Sequence, residues 1–188
     1  MPRGNKQSVA LGPGYLFIAV LGSTEPVDLT TAWDAAFKPL GYTNDGSQQS
    51  YAPSYDDVEV AEELDPIDSV PTGRKITVSF DLAENTALNY KRAMNGGTIT
   101  VTGTAPNQVF KFEPPDLGEE VAVMLGFESE DRLERWVWRQ CKQTGSAETS
   151  RKKGADKALI PMEFTCYPPD AGGKPFMRLS NRAGEVAS

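Results

Sequence analysis

At 188 residues with a formal charge of −7, the chain has room for one domain with appendages, and its acidity argues against sequence-independent nucleic-acid binding, which rests on Lys and Arg neutralising phosphates. Histidine is absent, which removes the commonest general base, metal ligand and partner of a Ser or Cys nucleophile. The two cysteines, Cys141 and Cys166, could pair but make no disulfide framework; both sit in apolar alternating segments that suit buried free thiols.

In chain order, residues 1–23 weakly imitate a signal peptide, with Arg3 and Lys6 ahead of an apolar stretch, but Gly12-Pro13-Gly14 breaks that stretch. A flexible N-terminal arm over 1–12 is expected instead. Residues 15–21 are continuously apolar and bounded by glycines, which suits a strand buried on both faces and is far short of a membrane span. Trp33, Phe37 and Leu40 recur at helical spacing in 26–40, so a short helix or compact loop ending at Pro39 is expected there, followed by a short strand over 40–43.

Residues 44–72 are polar and long for a loop, yet Val58 and Val60 alternate as in a strand, so they read as a hairpin arm projecting from the body. The stretch "YDDVEVAEELDPID" within it carries Asp56, Asp57, Glu59, Glu62, Glu63, Asp65 and Asp68. In "RKITVSFDLAE" the alternation is clearest: Ile76, Val78, Phe80 and Leu82 share one face, and Lys75, Thr77, Ser79 and Asp81 the other. A helix over 83–95 follows, with Ala87, Leu88 and Met94 as apolar positions and Asn95-Gly96-Gly97 as its stop.

Further strands are expected over 98–102, 108–112, 121–127, 133–143 and 158–167. Pro161 within the last suggests an edge or bulge. Residues 169–188 read as a C-terminal extension anchored by Phe176, Met177 and Leu179, so the main domain runs over 13–168. The fold class is mostly β: an antiparallel β-sandwich or half-barrel with one flanking α-helix and a long β-hairpin arm.

Motifs for chemistry are sparse. Neither a dinucleotide fingerprint nor a phosphate-binding loop occurs, and Ser150 with Lys153 matches a Ser-x-x-Lys pattern without its companion motifs. The acidic arm lacks the glycine and ligand spacing of a calcium loop, although a carboxylate pair for glycoside hydrolysis is compatible with so many acids. Trp136 and Trp138 among Arg132, Arg135 and Arg139 resemble a base-stacking platform, but strand alternation puts both rings on one face, as in a core or subunit contact. The basic cluster Arg151, Lys152, Lys153 and Lys157 is the natural complement of the arm, within one chain or head to tail between copies.

The opening "GPG" strand, "LGYTNDG", the acidic "VEVAEELDP" arm and "TGRKITVSFDLAENT" leading into a helix together resemble the major tail protein, or tail tube protein, of long-tailed, siphovirus-type bacteriophages. The likeness is strongest between Gly12 and Gly97 and rests on strand pattern alone thereafter. It implies a structural virion protein, not an enzyme, with no cofactor or metal. It implies hexameric rings, each closing a large β-barrel, stacked into the tube that conducts genomic DNA into the host. The implied partners are other copies, a tape-measure protein inside the tube during assembly, tail-tip and tail-terminator proteins, and DNA passing without specific binding. No membrane partner is implied; the location is the virion tail, assembled in the host cytoplasm. On this resemblance, Asp56, Asp57, Glu59, Glu62, Glu63 and Asp65 would dock on a neighbouring copy, with Arg151, Lys152 and Lys153 nominated as their partners, and Thr77, Ser79 and Asp81 are candidates to face the lumen. The competing readings are a capsid decoration or tail-terminator sandwich, a carboxylate-based glycosidase and a stand-alone binding module.

Overall fold

A computed structural model of the chain describes residues 8–10, 12–149 and 157–182. Its elements are β1 Gly14–Val20, β2 Lys38–Pro39, β3 Thr43–Val58, β4 Asp68–Leu82, α1 Ala87–Ala93, β5 Thr98–Thr102, β6 Val109–Glu113, β7 Val123–Ser129, β8 Glu134–Gln143, β9 Ile160–Tyr167 and β10 Phe176–Ser180. All pairings are antiparallel. The main sheet has the order β2-β1-β7-β8-β9-β4-β3, with β10 also pairing β8, while β5 and β6 form a separate hairpin.

The alternation in β4 sets the core. Ile76, Val78, Phe80 and Leu82 are buried, and their antiparallel neighbours Cys166, Phe164, Met162 and Ile160 on β9 are buried beside them. Leu16 and Ile18 of β1, Leu125 of β7 and Trp138 of β8 belong to the same cluster, although β1 and β4 lie near opposite ends of the strand order. The sheet is therefore curled into a half-barrel, and the chain itself shows how tightly. The edge strands β2 and β3 are separated only by residues 40–42, which span at most about 14 Å. Leu40 in that link is buried and donates its N–H to Leu16 O at 2.9 Å, and Ala83 N–H reaches Tyr42 O at 2.9 Å. Glu84 packs on the same link, accepting from Tyr42 N–H at 3.1 Å. Gly41 sits there with φ +94, and a Cβ at that position would come within 2.6 Å of Glu84 Oε1, so glycine is required.

This use of 83–86 shortens the helix to Ala87–Ala93, against the expected 83–95. Thr86 caps it, accepting from Asn89 N–H, and Gly96 N–H closes the end on Lys91 O. Leu88, expected on the apolar face, is exposed; Asn89 and Ala93 are buried instead. Asn95 then ties the helix end to the sheet, donating to Gln143 O at 2.6 Å and accepting from Gln143 N–H at 2.7 Å.

The other face of the sheet divides in two. Over β1, β7 and β8 it is covered by residues 26–37, which form a compact loop without a helix. Trp33 stacks on Phe17 at 4.8 Å, and Phe37 packs with Ala19, Met124 and Val137. Over β9, β4 and β3 the same face is polar. Pro161 lies where β9 has run past the end of β8 and is paired only to β4, so its missing N–H leaves no ladder bond unmade. β8 itself carries an irregularity: Leu125 faces Trp138 but Val123 faces Cys141, so an extra residue lies between and Cys141 regains the core face.

Candidate assembly interface

β4 is paired to β9 only from Ile76 onward, whereas its pairing with β3 continues outward to Asp68 opposite Val58. Residues 51–75 are thus a two-stranded arm standing clear of the half-barrel, with a tip over 59–67. Nearly every side chain on it is exposed. A two-stranded ribbon with no sheet neighbour and no core is held by its backbone ladder alone, which suits an element that acquires its packing elsewhere.

Asp56, Asp57, Glu59, Glu62, Glu63 and Asp65 all lie on this arm, and among the described residues none forms an ion pair. Asp68 accepts only from the N–H of Ser69, at 2.7 Å. The arm also displays apolar side chains that the charge count obscures: Leu64 is fully exposed, and Ile67, Val70 and Tyr55 are about half exposed or more. Their signal was present as aliphatic residues interleaved with the acids, and it makes the arm an exposed amphiphilic surface. Along its free edge, Pro53 lacks an N–H, which blunts unplanned strand pairing.

Arg151, Lys152 and Lys153 lie outside the described residues. The residues flanking them are placed: Tyr90 and Thr149 share a hydroxyl hydrogen bond at 3.1 Å, and Lys157 donates to Asn44 Oδ1 at 3.2 Å.

At the root of the arm, Thr77, Ser79 and Asp81 form a half-buried row on the outer face of β4. Register places Ser50 and Gln48 of β3 beside Thr77 and Ser79 on one side, and Thr165 and Glu163 of β9 on the other. Lys75 reaches Glu163 at 3.5 Å, and the hydroxyls of Thr144 and Thr165 meet at 2.7 Å. This is a continuous field of hydroxyl, amide and carboxylate groups. Such groups hold water, and the one lysine at their margin, Lys75, is paired with Glu163.

The remaining charged groups brace the body. Arg135, buried between sheet and loop, pairs with Glu128 at 2.7 Å and donates to Asp28 O and Thr31 O. Trp33 Nε1 donates to the same Glu128 carboxylate at 2.6 Å. Asp28 accepts from the backbone N–H groups of Thr31 and Thr30, which hold its carboxyl down at about 2. On the strand β10 side, Arg182 bridges Asp131 and Glu134, and Arg178 also pairs with Glu134. Hydrogen bonds from the Ser129 hydroxyl, Leu133 N–H and Arg182 lower the Asp131 carboxyl. Burial pushes Glu134 up, but Arg178, Trp136 and Arg182 outweigh it and the net shift is downward. Trp136 and Trp138 stack at 5.9 Å against the core, Trp138 buried and Trp136 half-buried with Phe176 and the Arg178 guanidinium against its ring.

Among the described residues, no group of three or more Cys, Asp or Glu side chains is arranged to hold a metal ion, and no helix is long and apolar enough to cross a membrane. The family described as phage tail tube protein matches residues 1–183 of the chain. None of the curated proteins matches it.

Proposed function

This chain belongs to the phage tail tube protein family, and from that premise we propose that six copies close into a ring and that rings stack into the conduit for genomic DNA. Membership makes it a structural component of a virion tail that assembles with its own kind into a tube. The observation that supports the finer reading is the projecting β3–β4 arm, whose root is a polar strand face and whose tip is an unpaired surface of carboxylates and aliphatic side chains.

In the proposed ring, the polar face of β3, β4 and β9 turns to the lumen, with Thr77, Ser79 and Asp81 on the wall. Six subunits contributing about four strands each, at about 4.8 Å spacing and about 40° tilt, give a backbone diameter of roughly 50 Å. A neutral-to-acidic wall leaves phosphates their counterions, so DNA slides rather than binds. The arm reaches the next copy, where Asp56, Asp57, Glu59, Glu62, Glu63 and Asp65 meet Arg151, Lys152 and Lys153. A tape-measure protein occupies the lumen during assembly, tail-tip and terminator proteins cap the ends, and assembly takes place in the host cytoplasm.

Negative-stain microscopy of the concentrated protein across a salt series tests this. Hollow tubes of uniform width, lost when the six arm acids become Asn or Gln and regained when arm and basic segment exchange signs, are expected. Chains that stay single even on supplied tail tips would overturn it.

A further inference from the structure

The only two cysteines of the chain face each other across a short seam of the main sheet. β8 and β9 are in register only from Gln140 to Gln143, whereas β4 follows β9 from Ile160 to Cys166 and β7 follows β1 along its whole length. That short pairing joins the half of the sheet capped by residues 26–37 to the half that bears the arm. Cys141 and Cys166 are direct cross-strand partners, and the Cys141 thiol donates to Cys166 Sγ at 3.1 Å. Directly opposed residues in an antiparallel pair have Cα atoms about 4.5–5.5 Å apart, inside the span of about 4.4–6.8 Å that a disulfide accepts.

Both side chains are buried, but not equally. Cys141 is sealed, while Cys166 lines an open cavity of about 520 Å³ at the root of the arm, with Arg74, Lys75, Thr144, Glu163 and Pro168 among its walls. Cys166 is the less enclosed of the two, at 6% exposed against 0%, and its partner is already in place.

We infer that Cys141 and Cys166 are a modification site: a dithiol that peroxide closes to a cross-strand disulfide, clamping the arm-bearing half of the sheet to the rest. The timing rests on the reading of the chain as a virion protein, which passes from a reducing cell to an oxidising medium; the chemistry does not. The Cys166 thiolate attacks peroxide, the O–O bond breaks and hydroxide leaves, giving a sulfenic acid. Cys141 sulfur then attacks Cys166 Sγ, its proton passing to the departing hydroxide, which leaves as water. In sum, two thiols and one peroxide yield one disulfide and two waters.

Hydrogen peroxide added to the folded, reduced full-length chain tests the clamp. Both thiols are expected to disappear together, with a mass loss of about 2 Da, no dimer, and a melting temperature raised by about 5 °C or more that dithiothreitol restores. In Cys141→Ala, Cys166 should stop at a sulfenic acid trapped by dimedone. Two thiols that stay unreacted in the folded chain and titrate only after denaturation would overturn the inference, as would a stable oxygen adduct or intermolecular dimer of the unaltered sequence. These readouts use isolated protein, so absence of tubes under the microscope counts against the proposed function and leaves the clamp standing, and the converse holds equally.

Discussion

Arg135 shows how a single side chain unites three parts of the body. Its guanidinium lies 5.3 Å over the Trp33 ring, pairs with Glu128 on the neighbouring strand and holds two loop carbonyls. All of this happens in a site only 4% exposed. Removing one member of a buried pair leaves the other charge without compensation, so Arg135→Ala is expected to cost about 3–5 kcal/mol in urea unfolding, with Trp33 fluorescence reporting the loosened loop. The alternation of "RLERWVWRQ" put Arg135 opposite the two tryptophans, and that much was legible. Its partners are Glu128, seven positions earlier on β7, and carbonyls more than a hundred positions earlier, in a segment whose spacing left a short helix and a compact loop both open. Periodicity carries no information about which loop folds over which face. Nearby, Gly126 shows the same limit: a Cβ there would lie 2.7 Å from the Trp33 ring, a requirement visible only once the loop is in place.

Among elements, the charge latches act on stability through pH. The Asp28, Asp131 and Glu134 carboxyls all titrate below their ordinary values in the folded chain. As pH falls, the unfolded chain takes up their protons first, so the stability they confer is present above the ordinary carboxylate range and is lost below it. For Asp28 that window runs from the ordinary value of 3.8 down to about 2. Hydrogen exchange across this range is expected to show residues 26–37 and β10 losing protection before the β4–β9 ladder does, and Glu134→Gln should move the release of β10 toward higher pH. Strand positions were readable because alternation survives wherever one face is core. The extra residue in β8 was not readable: "RQCKQ" has no glycine or proline to mark it, and only the register against β7 shows that Cys141 has changed faces. The helix was overestimated because Ala83 and Glu84 are good helix formers, while Glu84 is committed to the Gly41–Tyr42 link.

For the whole molecule, the core and the arm are built separately. The core is complete without residues 51–75, whose side chains are exposed and, among the described residues, make no ion pairs apart from Lys75 with Glu163 at the arm's root. Exchanging the six arm acids for Asn and Gln is therefore expected to shift monomer stability by no more than about 0.5 kcal/mol in denaturant titration, although the proposed function requires it to abolish tubes. A large loss of monomer stability would mean that the arm packs on its own body. The arm was the most legible part of the candidate interface, because long polar stretches that still alternate are rare inside compact domains. The row of Thr77, Ser79 and Asp81 was legible as a face, and its continuation into β3 and β9 emerged only from register. The aliphatic contribution of Leu64, Ile67 and Val70 was hidden by the acids around it.

The strand order also sets a timetable for the nascent chain. β1 leaves the ribosome first, yet its partner β7 lies over a hundred residues downstream, and β4 waits for β9 across a comparable gap. The β3–β4 hairpin has no such wait, since its strands are consecutive. After the two-residue β1–β2 pairing it is the first long hairpin able to form, and it has a long open edge at a time when many chains are being made side by side. Its carboxylates then serve as gatekeepers: mutual repulsion keeps one young hairpin from adding to another until each body has closed behind it.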